Sequence, residues 1–316
     1  MAKRKPHYFD FVGSLKIYCI ISGSLIALAL LCSLIFGVEI DIQFRGGTMA
    51  TYSYTGTVVE DDFHDVIVEE TGIDAKVTGS QNIQTGEPNY SVEFSGSEGF
   101  DVEEQNSLLA ALQEEFPDNN IQSVSVSSVS ATMGKDFLLK CLVAVFVSAV
   151  FMIVYIAVRF KKIGGWSAGV FAVIALLHDV LMVFAAFVIF RMPLDDNFMA
   201  VVLVILGYSV NDTIVIYDRI RENQKLYGAT KSLPQIVNDS TNETLSRTIH
   251  TSVSTLSAML IVCIMGLIYQ VDSIVTFSLP MLAGLISGSY SSICLCVSGW
   301  TAWKMRGQKG KKKAKA

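Results

Sequence analysis

Polar residues with the spacing of one helix face lie in GYSVNDTIVIYDRIREN, residues 207–223, which continues the apolar run FMAVVLVIL without a break. Tyr208 is followed by Asn211 three residues later and by Asp212 four residues later, so all three share one helix face. A carboxylate at the centre of a membrane-spanning helix costs about 2.5–3.5 kcal/mol on insertion scales, so such a residue usually has a function. The pattern therefore favours a site where a carboxylate binds and releases a proton or another ion inside a membrane.

The opposite charge that could compensate Asp212 is Arg247, in the next apolar span, STNETLSRTIHTSVSTLSAML at 240–260. A stripe of polar side chains runs along that span at helical spacing: Arg247, Thr251, Ser254 and Thr255. Because consecutive spans run antiparallel, Arg247 is expected at the depth of Asp212, where the charges can pair and the hydroxyl groups can order water. The alternative is a purely structural ion pair, or an arginine that extends to the membrane surface.

Two further pairs of residues are candidates for supporting roles. His178 and Asp179 lie inside the apolar run GVFAVIALLHDVLMVFAAF, where they are predicted to make polar contacts between helices or to support the ion site. Gly284 and Gly288 form a small-xxx-small pattern in MLAGLISGSYSSI, which favours close packing of the last span against a neighbouring helix.

The composition indicates a membrane protein, because 51% of the 316 residues are hydrophobic, 17% are charged and the mean hydropathy is +0.47. The first apolar run follows the basic segment MAKRKPH and could be a secretory signal, but its long apolar core favours an uncleaved anchor.

The six cysteines all lie in apolar runs without a CxxC pair, which favours packing roles over disulfides or metal binding. Six runs are long enough to cross a bilayer: 15–36, 137–158, 166–190, 197–217, 249–269 and 273–300.

Motifs for nucleotide binding and for zinc-dependent peptide hydrolysis are missing from the sequence, since GxxxxGK[ST] and HExxH do not occur. We therefore expect that the protein is not an enzyme and that it has no catalytic residue, cofactor or metal. An energy source, if one is used, is expected in a partner protein or in an ion gradient.

The distribution of lysine and arginine predicts the orientation. If both termini are cytoplasmic, 19 of the 24 basic residues lie on the cytoplasmic side, as the positive-inside rule requires.

Gly46 and Gly47 follow the first span, and we predict a mechanical hinge there, with a simple turn as the alternative. The predicted organisation is a cytoplasmic N-terminus at 1–14, transmembrane helix 1 at 15–37, an extracytoplasmic domain at 38–133, transmembrane helices 2–6 at 134–300 and a basic cytoplasmic tail at 301–316.

The extracytoplasmic region has the pattern of a small α+β domain. Periodicity predicts its elements in this order: strand 49–56, helix 59–72, strands 75–80 and 89–96, helix 100–117 and strand 121–130. The order β-α-β-β-α-β is typical of a ferredoxin-like sandwich. His64 is a lone histidine with acidic neighbours, so we predict a solvated helix residue. The predicted fold class is an α-helical membrane protein with six transmembrane helices plus one extracytoplasmic α+β ferredoxin-like domain between helices 1 and 2.

Five segments carry a resemblance to a known family. In order along the chain they are VEIDIQFRGGT, WSAGVFAVIALLHD, GYSVNDTIVIYDRIREN, TLSRTIHTS and GLISGSYSSI. Together they resemble the SecD/SecF family, half-size relatives of the resistance-nodulation-division (RND) transporters, and the resemblance covers nearly the whole chain. The last span departs slightly, since Ser289 stands where the family usually has threonine and ICLCVSGW lacks the usual proline.

The resemblance implies an auxiliary role in protein export across the bacterial cell membrane, driven by a gradient of protons or, in some lineages, of sodium. It implies a SecD-like partner with six helices, and contact with the SecYEG translocon, unfolded exported polypeptide and membrane lipid, but not with nucleic acid. Asp212 and Arg247 match the family's ion-relay positions. The alternatives are half of an RND-type exporter of small apolar molecules or lipid, and a scaffold. An outside domain of about 95 residues favours the Sec subunit over the exporter.

Overall fold

The computed structural model describes residues 8–81, 88–95, 102–129, 131–269 and 271–313. The N-terminal segment of the described chain packs against later helices. Residues 8–13 precede helix α1 (Leu15–Phe36), and their backbone is held by amide side chains. The backbone N–H of Phe9 donates to Oδ1 of Asn242 at 2.9 Å, while Nδ2 of Asn242 donates to the Phe9 carbonyl at 2.8 Å. Ser298 also donates to the carbonyl of Phe11, whose ring is buried in the bundle core. Residues 8–13 are therefore held by residues more than 230 positions away.

Between α1 and the later long helices lies a four-stranded antiparallel sheet with one short and two longer helices. Its elements are α2 (Ile42–Arg45), β1 (Gly47–Ser53), α3 (Glu60–Thr71), β2 (Lys76–Gln81), β3 (Pro88–Ser95), α4 (Val102–Glu115) and β4 (Gln122–Val129). The strand order is β2-β3-β1-β4, with β1 in the centre between β3 and β4. α3 and α4 cover one face of the sheet, where Phe63, Leu108 and Phe94 are buried in a shared apolar core.

These elements form where apolar residues alternate or recur at helical spacing, so their bounds differ from the predicted ones by only a few residues. α3 ends at Gly72, which adopts a left-handed conformation (φ 66°) and donates its N–H to the carbonyl of Val68. The predicted residues 96, 100, 101 and 130 lie outside the described residues. His64 is not simply solvated, because its Nε2 lies 3.0 Å from Oδ1 of the exposed Asp74.

The two glycines at 46 and 47 form the junction between α2 and β1. Both have positive φ, 82° for Gly46 and 150° for Gly47, and side chains are disfavoured in that region. A Cβ on Gly47 would lie 2.4 Å from the carbonyl oxygen of Phe94, so this junction is also closely packed.

After the sheet the chain forms a helix bundle. Its elements are α5 (Ala131–Arg159), α6 (Gly165–Ile189), α7 (Asp196–Tyr227), α8 (Leu233–Ile268), α9 (Asp272–Tyr290), a π-helical segment (Ser291–Cys296) and α10 (Val297–Lys313). Within the described residues, six helices are long and apolar enough to cross a membrane, the last one running from Ser273 to Gly307 through α9, the π-helical segment and α10. This confirms the predicted number of candidate spans.

α7 and α8 have 32 and 36 residues, more than the roughly 20 that cross a bilayer. Their connected ends carry the ion pairs expected outside an apolar layer: Arg219 with Glu222 and Glu243, and Lys231 with Asp239. α8 begins with a capping box between Ser232 and Gln235, which satisfies backbone donors of its first turn. The charged segment between the spans is therefore an ordered helical hairpin.

Candidate functional site

Asp212 lies on the buried side of α7 and is 3% exposed. Its Oδ2 atom is buried and has no hydrogen-bond partner among the described residues. The hydroxyl of Tyr208, one turn earlier on the same helix, is likewise buried without a partner within the described part of the chain. An unpaired buried polar group is costly, so α7 carries two unsatisfied polar atoms at adjacent turns. Asn211, the third residue of the predicted face, is exposed instead.

Arg247 on α8 acts electrostatically on Asp212, as the antiparallel arrangement predicts. The two side chains do not form a salt bridge, however, and no ion pair within 4.0 Å involves either of them among the residues described. Arg247 is exposed on the surface of this chain. The arrangement is an arginine within range of a buried carboxylate but not bonded to it.

The hydroxyl stripe on α8 bonds to its own helix. Thr251 donates to the carbonyl of Arg247 at 3.0 Å, Ser254 to that of His250 at 2.8 Å, and Thr255 to that of Thr251 at 3.0 Å. Each donor is therefore used within the helix, and each oxygen keeps a lone pair that can accept a further hydrogen bond. Thr251 and Ser254 are exposed, so the stripe lies on the outer face of the bundle.

A second buried carboxylate, Asp179 on α6, is surrounded by hydrogen-bond donors, unlike Asp212. It is fully buried, and three serine hydroxyl groups donate to it. Ser209 of α7 and Ser291 of the π-helical segment donate to Oδ2 at 2.7 and 2.8 Å, while Ser287 of α9 donates to Oδ1 at 2.7 Å. We call Ser209, Ser287 and Ser291 the serine cluster. His178, the residue before Asp179, places Nδ1 3.3 Å from Oδ1 of Asp179.

The π-helical segment makes further hydrogen bonds with α7 next to these contacts. A π-helical turn closes with i→i+5 hydrogen bonds and is wider than an α-helical turn. Ser291 and Ser292, consecutive in sequence, are both fully buried. Ser292 donates to the carbonyl of Ser209 at 3.0 Å and accepts from Thr213, the residue after Asp212, at 2.9 Å. One continuous set of hydrogen bonds therefore joins α6, α7 and the last span.

Gly284 and Gly288 lie where α9 approaches α7. A Cβ on Gly284 would be 2.7 Å from Ile205, and one on Gly288 would be 3.1 Å from Ser209. Because neither glycine has a side chain, α9 comes close enough for the serine cluster to reach Asp179.

Sequence reasoning identified Asp212, Arg247 and Asp179 but missed the serine cluster. A signal was present, since Ser209 lies within the same motif as Asp212, and Ser287 and Ser291 are one helical turn apart. Serines are common in helices, however, and nothing in their spacing identifies a carboxylate on another span as the acceptor.

The described residues contain no group of three or more His, Cys, Asp or Glu side chains that could hold a metal ion. The candidate site consists of ionisable side chains within and beside a helix bundle. Six candidate spans with two carboxylates, a histidine and an arginine within or beside the bundle define a class: polytopic membrane proteins with charged residues between their helices.

Comparisons with known proteins identify the family within that class. The profile of the family described as protein export membrane protein SecD/SecF, C-terminal, matches residues 109–306. The chain belongs to the SecD/SecF family of protein-export membrane proteins. Members of this family are non-enzymatic accessory proteins, and the six candidate spans agree with a multi-pass protein of the bacterial cell membrane.

Individual relatives cover different shares of their own length. The chain is 31% identical over 308 residues to protein translocase subunit SecF of Alicyclobacillus acidocaldarius, covering 96% of each chain. It is also 31% identical over 304 residues to protein translocase subunit SecDF of Bacillus subtilis, but spans only 38% of that protein.

The chain also matches only part of each solved SecDF structure. The crystal structure of SecDF from Thermus thermophilus, a translocon-associated membrane protein, matches 94% of this chain with a TM-score of 0.76 and 29% identity, and 39% of the SecDF chain is covered. A SecDF structure in a super-membrane-facing form matches with a TM-score of 0.65 and 28% identity.

Proposed function

We propose that this chain is the SecF part of an accessory protein-export unit that uses an ion gradient, of protons in the simplest case, to promote translocation of unfolded polypeptides through SecYEG. One observation carries the proposal: Oδ2 of Asp212 is buried without a hydrogen-bond partner among the described residues, and Arg247 acts on it from the facing helix. A relay residue must exchange its proton, and a carboxylate without fixed donors is suited to that exchange.

The unbonded arginine provides a means of control. A nearby positive charge favours an ionised carboxylate, whereas apolar surroundings favour the protonated form. A change in the separation of α7 and α8 therefore changes proton occupancy at Asp212, and a change in occupancy favours one separation over the other. A proton that crosses a membrane potential releases about 2.3 kcal/mol per 100 mV, which biases a two-state equilibrium by more than tenfold.

A SecD-like partner is proposed on the exposed face of α8. Only 17% of the apolar window of α8 is buried, close to the 11% of the first two candidate spans, so the polar side chains of α8 rather than its exposure single out its face. This face presents Arg247, Thr251 and Ser254, and lipid tails cannot satisfy a charged group. The partial coverage of the SecDF relatives supports the proposal, since most of their length lies outside the matched part.

The remaining topology is part of the proposal. The N- and C-termini are cytoplasmic, and the sheet with α3 and α4 is an extracytoplasmic ferredoxin-like domain at 38–133 between the first two spans. Strand order β2-β3-β1-β4 and the alternation of strands and helices support the domain assignment. The other boundaries are those predicted above: an N-terminus at 1–14, helix 1 at 15–37, helices 2–6 at 134–300 and a basic tail at 301–316.

Gly46 and Gly47 are proposed as the joint through which the domain moves. Replacing both by alanine should reduce secretion of a reporter protein while the chain remains in the membrane, because both positions have positive φ. Normal secretion by this double variant would argue for a simple turn.

The relay is tested by Asp212→Asn, which keeps the shape of the side chain and removes its titrating group. In membrane vesicles that contain the complete export machinery, we expect this variant to abolish the stimulation of reporter translocation by an ion gradient and to leave translocation without a gradient unchanged. Arg247→Met should have the same effect. ATP hydrolysis by the translocation motor should stay the same in both variants.

The matched control is Asn211→Ala, at an exposed position next to Asp212. It should retain stimulation by the gradient. If Asp212→Asn retains full stimulation, the relay is excluded, and a structural interaction between Asp212 and Arg247 remains.

A further inference from the structure

An apolar groove of about 520 Å³ runs along the outside of the bundle between α1, α6 and α10. Its walls include Cys19 of α1, Ile174 of α6 and Ala302 of α10. Ile174 is 53% exposed and Cys19 is also exposed, so the groove is open toward the surroundings of the bundle rather than enclosed within it.

The length of the groove matches half of a bilayer. On α1 it extends from Leu15 to Ile26, and eleven residues of helix correspond to about 16 Å. The hydrocarbon core of a bilayer is about 30 Å thick, so one leaflet contributes about 15 Å. On α6 the groove ends near His178 and Leu181, close to the middle of that helix. A molecule in this groove therefore has the reach of one lipid acyl chain.

The end of the groove that contains Trp303 and Arg306 has residues typical of a membrane interface. Trp303 is 56% exposed and its ring lies 6.3 Å from that of Phe171. Tryptophan is enriched at the level of the lipid headgroups. Arg306, at the same end, is exposed and forms no salt bridge with any described residue.

The neighbouring cation has a different role. Nζ of Lys304 donates to the carbonyl of Ile163 at 2.6 Å and lies 4.8 Å from the centre of the Trp300 ring. Its ammonium group therefore interacts with groups of the protein itself. The guanidinium group of Arg306, in contrast, is available to an anion at the rim of the groove.

We propose that this groove binds an anionic phospholipid, with one acyl chain between α1 and α6 and the phosphate at Arg306. The apolar walls, the length of one leaflet, the interfacial tryptophan and the uncompensated arginine are the properties that such a lipid requires. The site is distinct from the relay, because neither Asp212 nor Arg247 lines the groove, although His178 at its inner end also contacts Asp179.

The test measures lipid binding to the full chain, purified in mild detergent, by native mass spectrometry. The probes are dioleoylphosphatidylglycerol and dioleoylphosphatidylcholine, which differ only in the headgroup. We expect the anionic lipid to bind about fivefold more tightly, the ratio for one basic side chain near an anionic lipid. Arg306→Gln should make the two affinities equal. Cys19→Trp, which fills the groove from an exposed position, should weaken binding of both lipids.

Arg159→Gln is the control, because Arg159 lies at the same end of the bundle but pairs with Asp218 at 3.1 Å. It should retain the preference for the anionic lipid. Equal binding of both lipids to the unmodified chain, or a preference that survives Arg306→Gln, would overturn the proposal. Binding that Cys19→Trp leaves unchanged would place the lipid elsewhere and would also overturn it.

Discussion

Asp179 and Asp212 are both buried carboxylates on adjacent helices, yet their surroundings differ completely. Asp179 accepts hydrogen bonds from three serine hydroxyl groups on two other parts of the bundle. Asp212 has an oxygen without any partner in the described part of the chain. Burial is therefore common to both carboxylates, and the number of fixed donors is what distinguishes them, as the proposed relay at Asp212 requires.

The difference arises from the helices that face each carboxylate. α9 lacks side chains at Gly284 and Gly288, so it approaches closely and directs its serines toward Asp179. α8 instead uses its hydroxyl groups on its own carbonyls and offers no donor to Asp212. The same residue types thus donate to one carboxylate and leave an oxygen of the other without a partner among the described residues.

The largest effect on stability is expected from Asp179→Ala. The substitution removes the shared acceptor of the serine cluster and leaves three buried hydroxyl groups to find new partners. We expect the free energy of unfolding in mild detergent to fall by about 3 kcal/mol or more. A change below about 0.5 kcal/mol would mean that the serine cluster does not depend on Asp179.

An intermediate effect is expected from Gly284→Ala, which tests whether close packing delivers the serines. The new methyl group would lie 2.7 Å from Ile205, so the helices must separate, at a cost of about 1–3 kcal/mol. Gly207→Ala is the matched control, since no atom lies within 4 Å of a Cβ there. The control should be neutral or stabilising by up to about 1 kcal/mol. Equal melting temperatures for the two variants would show that the approach of α9 is not tight.

The smallest effect on stability is expected from Asp212→Asn. The variant removes a buried carboxylate whose Oδ2 has no hydrogen-bond partner among the described residues, so the free energy of unfolding should stay within about 0.5 kcal/mol of the original value or rise. Thermal unfolding of the three variants in one detergent would establish the order. A loss comparable to that of Asp179→Ala would show that Asp212 has structural partners and would remove the contrast between the two sites.

Much of the fold could be predicted because it depends on local patterns. The six spans follow from apolar length, and α3 lies within two residues of its predicted bounds because Phe63 and Ile67 recur at helical spacing. The facing positions of Asp212 and Arg247 follow from antiparallel spans.

The serine cluster and the exposure of Arg247 could not be predicted in the same way. Which hydroxyl group reaches Asp179 depends on how closely three separate helices approach, and on a π-helical turn that brings Ser291 and Ser292 inward together. Arg247 is exposed because α8 lies at the edge of the bundle, and that position is a property of the packed helices rather than of their sequences.

The attachment of residues 8–13 has a consequence for how the chain is made. Phe9 is synthesised before its partner Asn242, which follows 233 residues later, and before Ser298, which follows later still. At about 5–20 residues per second, roughly 10 to 50 s pass before the amide that holds Phe9 has been synthesised. Residues 8–13 therefore lack these contacts during that interval and reach them only after most of the helix bundle has been synthesised.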